Sequence, residues 1–185
     1  MKKLPIVLFV VCLTLPACYD FDFPLDPKPV LPVDARLVGD WRCLAVEADL
    51  EDAPGILHIA RRGENIARWT FTSSGSDAVP KGGEPERSEY DVHGSAVGGG
   101  VLLNALELGE KANGKWNVVR HTFLLPDVVR LQVVNDEALP KVADPAALRA
   151  LIEKRVEDPA IYTDLLVCVR AKKASAPAPS PSPKS

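Results

Sequence analysis

Between residues 36 and 171, apolar and polar positions alternate in short runs bounded by turn-forming residues, the period-two signature of strands buried on one face. The runs are LVGDWRCLAVE (37–47), GILHIARR (55–62), NIARWTFT (65–72), SEYDVHGSAV (88–97), GGVLLNALEL (99–108), KWNVVRHTFLL (115–125), DVVRLQVVN (127–135) and IYTDLLVCVRA (161–171). About eight strands in simple succession predict an antiparallel up-and-down meander. The connections agree: RRGEN around Gly63 and GEKANGK around Asn113 and Gly114 have hairpin-turn chemistry, and LPD at 125–127 makes a tight reversal. The glycine-rich GSAVGGG (94–100) has neither a lysine nor a following helix to make a phosphate loop, so it predicts a turn or bulge. Residues 73–87, polar and glycine-rich, form the long link and predict a mobile surface loop.

One late segment changes period. In ADPAALRALIEKRVEDP, Asp144 is placed to cap a helix, Pro145 suits its first turn, and Leu148, Leu151, Ile152 and Val156 recur on one face before Pro159 ends it. A helix with a single apolar stripe must cover something, most simply an open side or end of the sheet. Its charged face is expected to be solvated.

The first residues follow another pattern. MKK is a basic start, and LPIVLFVVCLTLP is an apolar run shorter than the ~20 residues that cross a bilayer, which together read as a secretory signal peptide. The sequence Leu15-Pro16-Ala17-Cys18 that ends it resembles the lipobox of bacterial lipoproteins. That resemblance implies cleavage after residue 17 and acylation of Cys18, whose thiolate is the nucleophile such a transfer needs. Two or three acyl chains hold a protein on a membrane essentially permanently. Tyr19, rather than aspartate, follows the cysteine, and the resemblance then implies the periplasmic face of the bacterial outer membrane. Residues 18–35, carrying Pro24, Pro27, Pro29 and Pro32, are expected to be an extended tether spanning up to about 50–60 Å. Residues 172–185, rich in Pro, Ala and Ser, predict a disordered tail.

What lies between is one domain, residues 36–171, long enough for a single core. The formal charge is −3, and losing Lys2 and Lys3 with the signal takes it to −5. That balance offers no basis for nucleic-acid binding.

Gly39-Asp40-Trp41, in the first strand, resembles the Gly-x-Trp signature of the lipocalins and the wider calycin group. The resemblance implies an eight-stranded barrel in which Trp41 packs low against an arginine from a late strand, here Arg170. The chain differs from the family pattern in two respects: no Thr-Asp-Tyr signature follows in mid-chain, and the helix precedes the arginine strand.

The cysteines bear on the same closure. With Cys12 removed and Cys18 lipidated, Cys43 and Cys168 are an even pair in an oxidising compartment, which predicts a disulfide. If the first and last strands lie antiparallel, the register that opposes 43 to 168 also opposes 41 to 170 and puts all four side chains on one face. First strand against last is the closure of a barrel.

No catalytic constellation is evident, and no enzyme, cofactor or metal is expected. His58, His93 and His121 fall on three different strands without neighbours at metal-ligand spacing. Glu84, Glu86 and Glu89 cluster on or beside the long loop, a poor place for the buried pocket that carboxylate catalysis requires. Two non-enzymatic functions fit. In one, the barrel interior, lined in part by Trp69, Phe71, Phe123 and Leu125, holds a small apolar or amphipathic ligand. In the other, side chains fill the interior and the outer surface meets a periplasmic protein, as an inhibitor or immunity factor against a cell-envelope hydrolase would.

Overall fold

The computed structural model describes residues 20–46, 55–73, 85, 87–110 and 112–171. The signal segment, Cys18, the tail at 172–185, Glu84, Glu86 and most of the 73–87 link lie outside the described residues. Eight strands follow one another around a closed antiparallel barrel: β1 (Gly39–Ala45), β2 (Gly55–Arg61), β3 (Ala67–Ser73), β4 (Arg87–Val97), β5 (Gly100–Leu108), β6 (Trp116–Leu125), β7 (Val128–Val134) and β8 (Tyr162–Arg170). Helix α1 (Pro145–Arg155) stands between β7 and β8. Short polar turns return β3, β5, β6 and β7 beside their predecessors, longer links join the others, and β1 against β8 leaves no free edge. In that closing ladder Trp41 opposes Arg170 and Cys43 opposes Cys168, and the two cysteines are disulfide-bonded with Cα atoms 4.0 Å apart.

The meander fixes two ends. One carries the β2–β3, β4–β5 and β6–β7 turns, the start of β1 and the end of β8; the other carries the β5–β6 turn, the segment leading from β7 through α1 to β8, and the β1–β2 and β3–β4 links, most of whose residues lie outside the described ones. The first is the closed end and the second the open end.

There are two apolar cores. The inner one fills the barrel with Trp41, Leu57, Ile59, Trp69, Val92, Val129, Leu131 and their neighbours. The outer one lies on the other side of the β4–β5–β6 wall, where Val97, Leu102 and Val118 face Leu148 and Ile152 of α1 together with Phe21 and Leu25. These strands are therefore buried on both faces. The helix forms where capping chemistry predicts: the Asp144 carboxylate accepts from the Ala147 N–H at 2.8 Å, and Pro145 occupies the first turn.

The proline-rich segment read as a free tether is packed from Asp20 onward. Phe21 and Trp116 exchange two backbone hydrogen bonds of 2.8 Å at the open end. The Leu25 N–H then donates to Asn104 Oδ1 at 2.7 Å, and His93 Nε2 meets the Asp26 carbonyl at 2.9 Å. Further along, Asn65 donates to the Pro29 carbonyl, Leu31 bridges Gly94, and the Val33 N–H donates to the Glu64 carbonyl in the β2–β3 turn. The segment thus runs down the outer wall as a strap and crosses beneath the closed end. Prolines deny it a regular ladder, so polar side chains of the barrel supply the partners instead. Burying Leu25, only 2% exposed, contributes on the order of 1.5–3 kcal/mol.

Candidate functional site

The two ends of the interior differ. At the closed end the strap turns inward: Leu37 is buried and Val33 packs against the inner core. Trp41 is fully buried, and its indole N–H donates to the Leu37 carbonyl at 2.8 Å. The Arg170 guanidinium stacks 4.1 Å from the Trp41 ring centroid, donates to the carbonyls of Arg36 and Val38, and lies 3.3 Å from Asp127. Gly39 is required there twice over. Its φ of +131° suits glycine alone, and a Cβ would sit 3.0 Å from Arg170 Nη1. Phe123 completes the closure, tilted against Trp41 at 6.4 Å with Arg36 4.5 Å above its face.

Toward the open end the interior is hollow. A cavity of about 260 Å³ is walled by Leu57, Trp69, Phe71, Leu131, Val133 and Leu166, with Tyr90 and Asn117 as its polar members. That is just under the ~300 Å³ at which drug-sized ligand pockets begin, so the space suits a slender ligand. Ala105 contributes to its size by being small, and Phe71 owes its position to Gly55, where a Cβ would lie 2.1 Å from the ring.

Of the four residues expected to line a ligand space, Trp69 and Phe71 border this cavity. Phe123 belongs to the filled closed end instead. Leu125 is not in the interior: it is 62% exposed. Strict alternation would put it on the same face as Phe123, but the β6–β7 register shifts between those two residues as the strand enters its turn. Leu57, Leu131 and Val133 were not singled out by sequence, although the period of two in β2 and β7 marks them as inward-facing; Leu166, on β8, was not singled out either.

The titratable groups are dispersed. His58 lies outside, 2.5 Å from Asp40; His93 is under the strap; His121 is inside at the closed end, edge-on to Phe123. Burial pushes the His121 pKa below its ordinary value, and its Nδ1 has no hydrogen-bond partner. Among the described residues no group of three potential metal ligands converges. Glu89 is fixed between guanidiniums. Hydrogen bonds from Arg87 and Arg68 hold its carboxyl below the usual range, the wrong direction for a general acid. Arg68 in turn joins Glu89 to Asp91, which also binds Arg62, so this is a charge ladder on the outer face of β2 to β4.

The wall away from the strap is bare. Leu44, Ile56 and Val169, on β1, β2 and β8, are each about half exposed, at 56%, 46% and 50%. Among the described residues no helix is long and apolar enough to cross a membrane. No family model, curated protein or solved structure matches the chain.

Proposed function

We propose that this is a lipid-anchored binding protein of the bacterial cell envelope, attached through Cys18 to the periplasmic face of the outer membrane. In this reading it holds one slender apolar or amphipathic ligand in the open half of a lipocalin-like barrel. The observation that carries the ligand is the unequal filling of one continuous interior: an apolar cavity with two polar side chains at one end, and tryptophan, phenylalanine and strap residues packed solid at the other. The lipocalin-like reading draws further on the Gly39, Trp41 and Arg170 constellation. The anchor draws on the sequence around Cys18 alone. No catalytic role is assigned, because the imidazole–carboxylate pair described above, His58 with Asp40, is exposed on the outer face and away from the cavity.

A fatty acid bearing a dansyl group tests the ligand. Saturable binding with energy transfer from tryptophan, reduced in Trp69→Phe while Trp41 and Trp116 remain as donors, is the expected result; absence of saturation would remove the reading. For the anchor, Cys18→Ser should abolish membrane association and the mass increment of acylation. Unchanged fractionation and mass would remove the lipoprotein assignment.

A second reading rests on the bare wall. Leu44, Ile56 and Val169 are exposed apolar side chains around Arg42 that a protein partner would cover, as in an inhibitor or immunity factor. Charged substitutions there would weaken partner binding and leave fatty-acid binding untouched.

A further inference from the structure

We propose that the open end of the barrel faces the membrane that holds the anchor, so that the cavity draws its ligand, a single-chain amphiphile, from the bilayer surface directly beneath it. This rests on the reading above that Cys18 is lipidated and that the cavity is a ligand site.

The strap supplies the orientation. A free spacer of some fifteen residues would let the domain tumble at a distance, but this one is docked almost to its start. Asp20 stands two residues after Cys18, a span of at most ~7 Å of extended chain. Its carboxylate accepts from Asn113 at 2.7 Å and from Asn117 at 3.4 Å. Phe21 is paired to Trp116, and Asp22 is ion-paired with Lys115. All of these partners belong to the β5–β6 turn and the start of β6, at the open end. Asn117 is at once a lining residue of the cavity and a partner of Asp20, so Asp20, two residues from Cys18 in sequence, stands beside the mouth. From there the strap leads away to the opposite end, which it closes with Val33 and Leu37.

The rim agrees. Leu165 lines the cavity and is 42% exposed, and its carbonyl accepts from the N–H of Val46, itself 46% exposed. An apolar path therefore runs from the interior to the outer edge at the end where the lipid would enter the bilayer. One alkyl chain suits a space of about 260 Å³, and Asn117, with Asp20 and Lys115 beyond it, offers hydrogen bonds to a polar head left at the mouth.

The test uses the full lipidated protein in nanodiscs of phosphatidylethanolamine and phosphatidylglycerol carrying a headgroup-nitroxide lipid, with backbone amide resonances as the readout. The expected result is loss of signal at Val46, Asn113 and Gly114, with Gly63, Gly99 and Asp127 preserved. Loss at the latter three, or equal loss at both ends, overturns the proposal. A second arm adds lysophosphatidylethanolamine labelled at the end of its chain, which should erase Leu131 and Leu166. If that probe reaches Leu131 and Leu166 while the headgroup label marks the closed end, the orientation fails and the ligand site stands. If the probe reaches neither residue in either orientation, the ligand reading itself fails and the proposal falls with it.

Discussion

The closed and open ends of the barrel are built from the same eight strands with the same inward alternation, yet one is solid and the other hollow. The difference does not come from the strands alone. Inward residues of β2, β3 and β7 are as apolar at the open end, with Leu57, Phe71 and Val133, as they are lower down. Much of what fills the closed end comes from outside the strands: Leu37 and Val33 enter from below and Arg36 sits over the Phe123 ring, while Arg170, at the end of β8, covers Trp41. An eight-stranded barrel is just wide enough for its side chains to fill or for one small ligand to enter, so an extra segment at one end can decide which end is filled. Among the described residues the strap enters the interior at one end only, and the cavity lies toward the other.

The largest effect should come from emptying the filled end. Trp41→Ala removes a fully buried ring that also anchors Arg170 and the Leu37 carbonyl, and is expected to cost about 3–5 kcal/mol in denaturant unfolding. Trp69→Ala, in a wall that already borders empty space, should cost less and act mainly on ligand binding. Equal costs at the two positions would break the comparison.

Next is the closing ladder between β1 and β8. Replacing Cys43 and Cys168 together by serine should lower stability by roughly 2–5 kcal/mol without altering the fold, because the strand pairing and the Trp41 to Arg170 stack persist. Circular dichroism with thermal unfolding checks both parts. Non-reduced peptide mapping should recover the two residues in one linked peptide.

A smaller effect depends on pH and belongs to the closed end alone. His121 is held below its ordinary pKa by burial, with Asp34 partly opposing that shift and Arg36 adding to it. The unfolded chain therefore binds a proton at higher pH than the folded one does. Stability from this group is fully present above the unfolded value of about 6.5 and declines as pH falls from there toward the lower folded pKa. His121→Leu should flatten that limb of the stability profile, while ligand binding at the open end keeps its affinity across the same range.

The smallest change should follow from shortening the link at 73–87, which joins β3 to β4 at the open end. Removing about half of it should move stability by under about 1 kcal/mol, since closure entropy varies slowly with loop length. A large fall in melting temperature would mean that the open end depends on that link for its packing.

The barrel itself was legible because three independent signals agree: period-two runs, turn chemistry between them, and one register that pairs two couples of residues across the first and last strands. The helix was legible from Asp144, Pro145 and the apolar spacing that follows. The strap was not. Phe21, Leu25, Val33 and Leu37 are spaced at multiples of four, but the four prolines among them exclude the helix such spacing would mark and are the usual sign of a spacer. A signal did exist on the other partner: Val97 and Leu102 point outward from β4 and β5, and strands apolar on both faces require a cover on each. Helix α1 accounts for part of that cover, and the strap supplies the rest. Inside the barrel, periodicity says which residues point inward but not how well they fill the space, which depends on the volume a remote segment brings. Leu125 was misplaced for a local reason, a register shift at the strand end that alternation cannot anticipate.

The central claim is that the open half of the barrel is a ligand site of limited width, and calorimetric titration of a single-chain fatty acid into the protein and its Ala105→Phe variant tests it most directly. Ala105 lines the cavity, and a phenyl group there would occupy the space from the wall. The account predicts one saturable site with a negative heat-capacity change in the native protein, lost in a variant whose circular dichroism is unchanged. No saturable binding by the native protein, or binding that the filled variant retains undiminished, would contradict it.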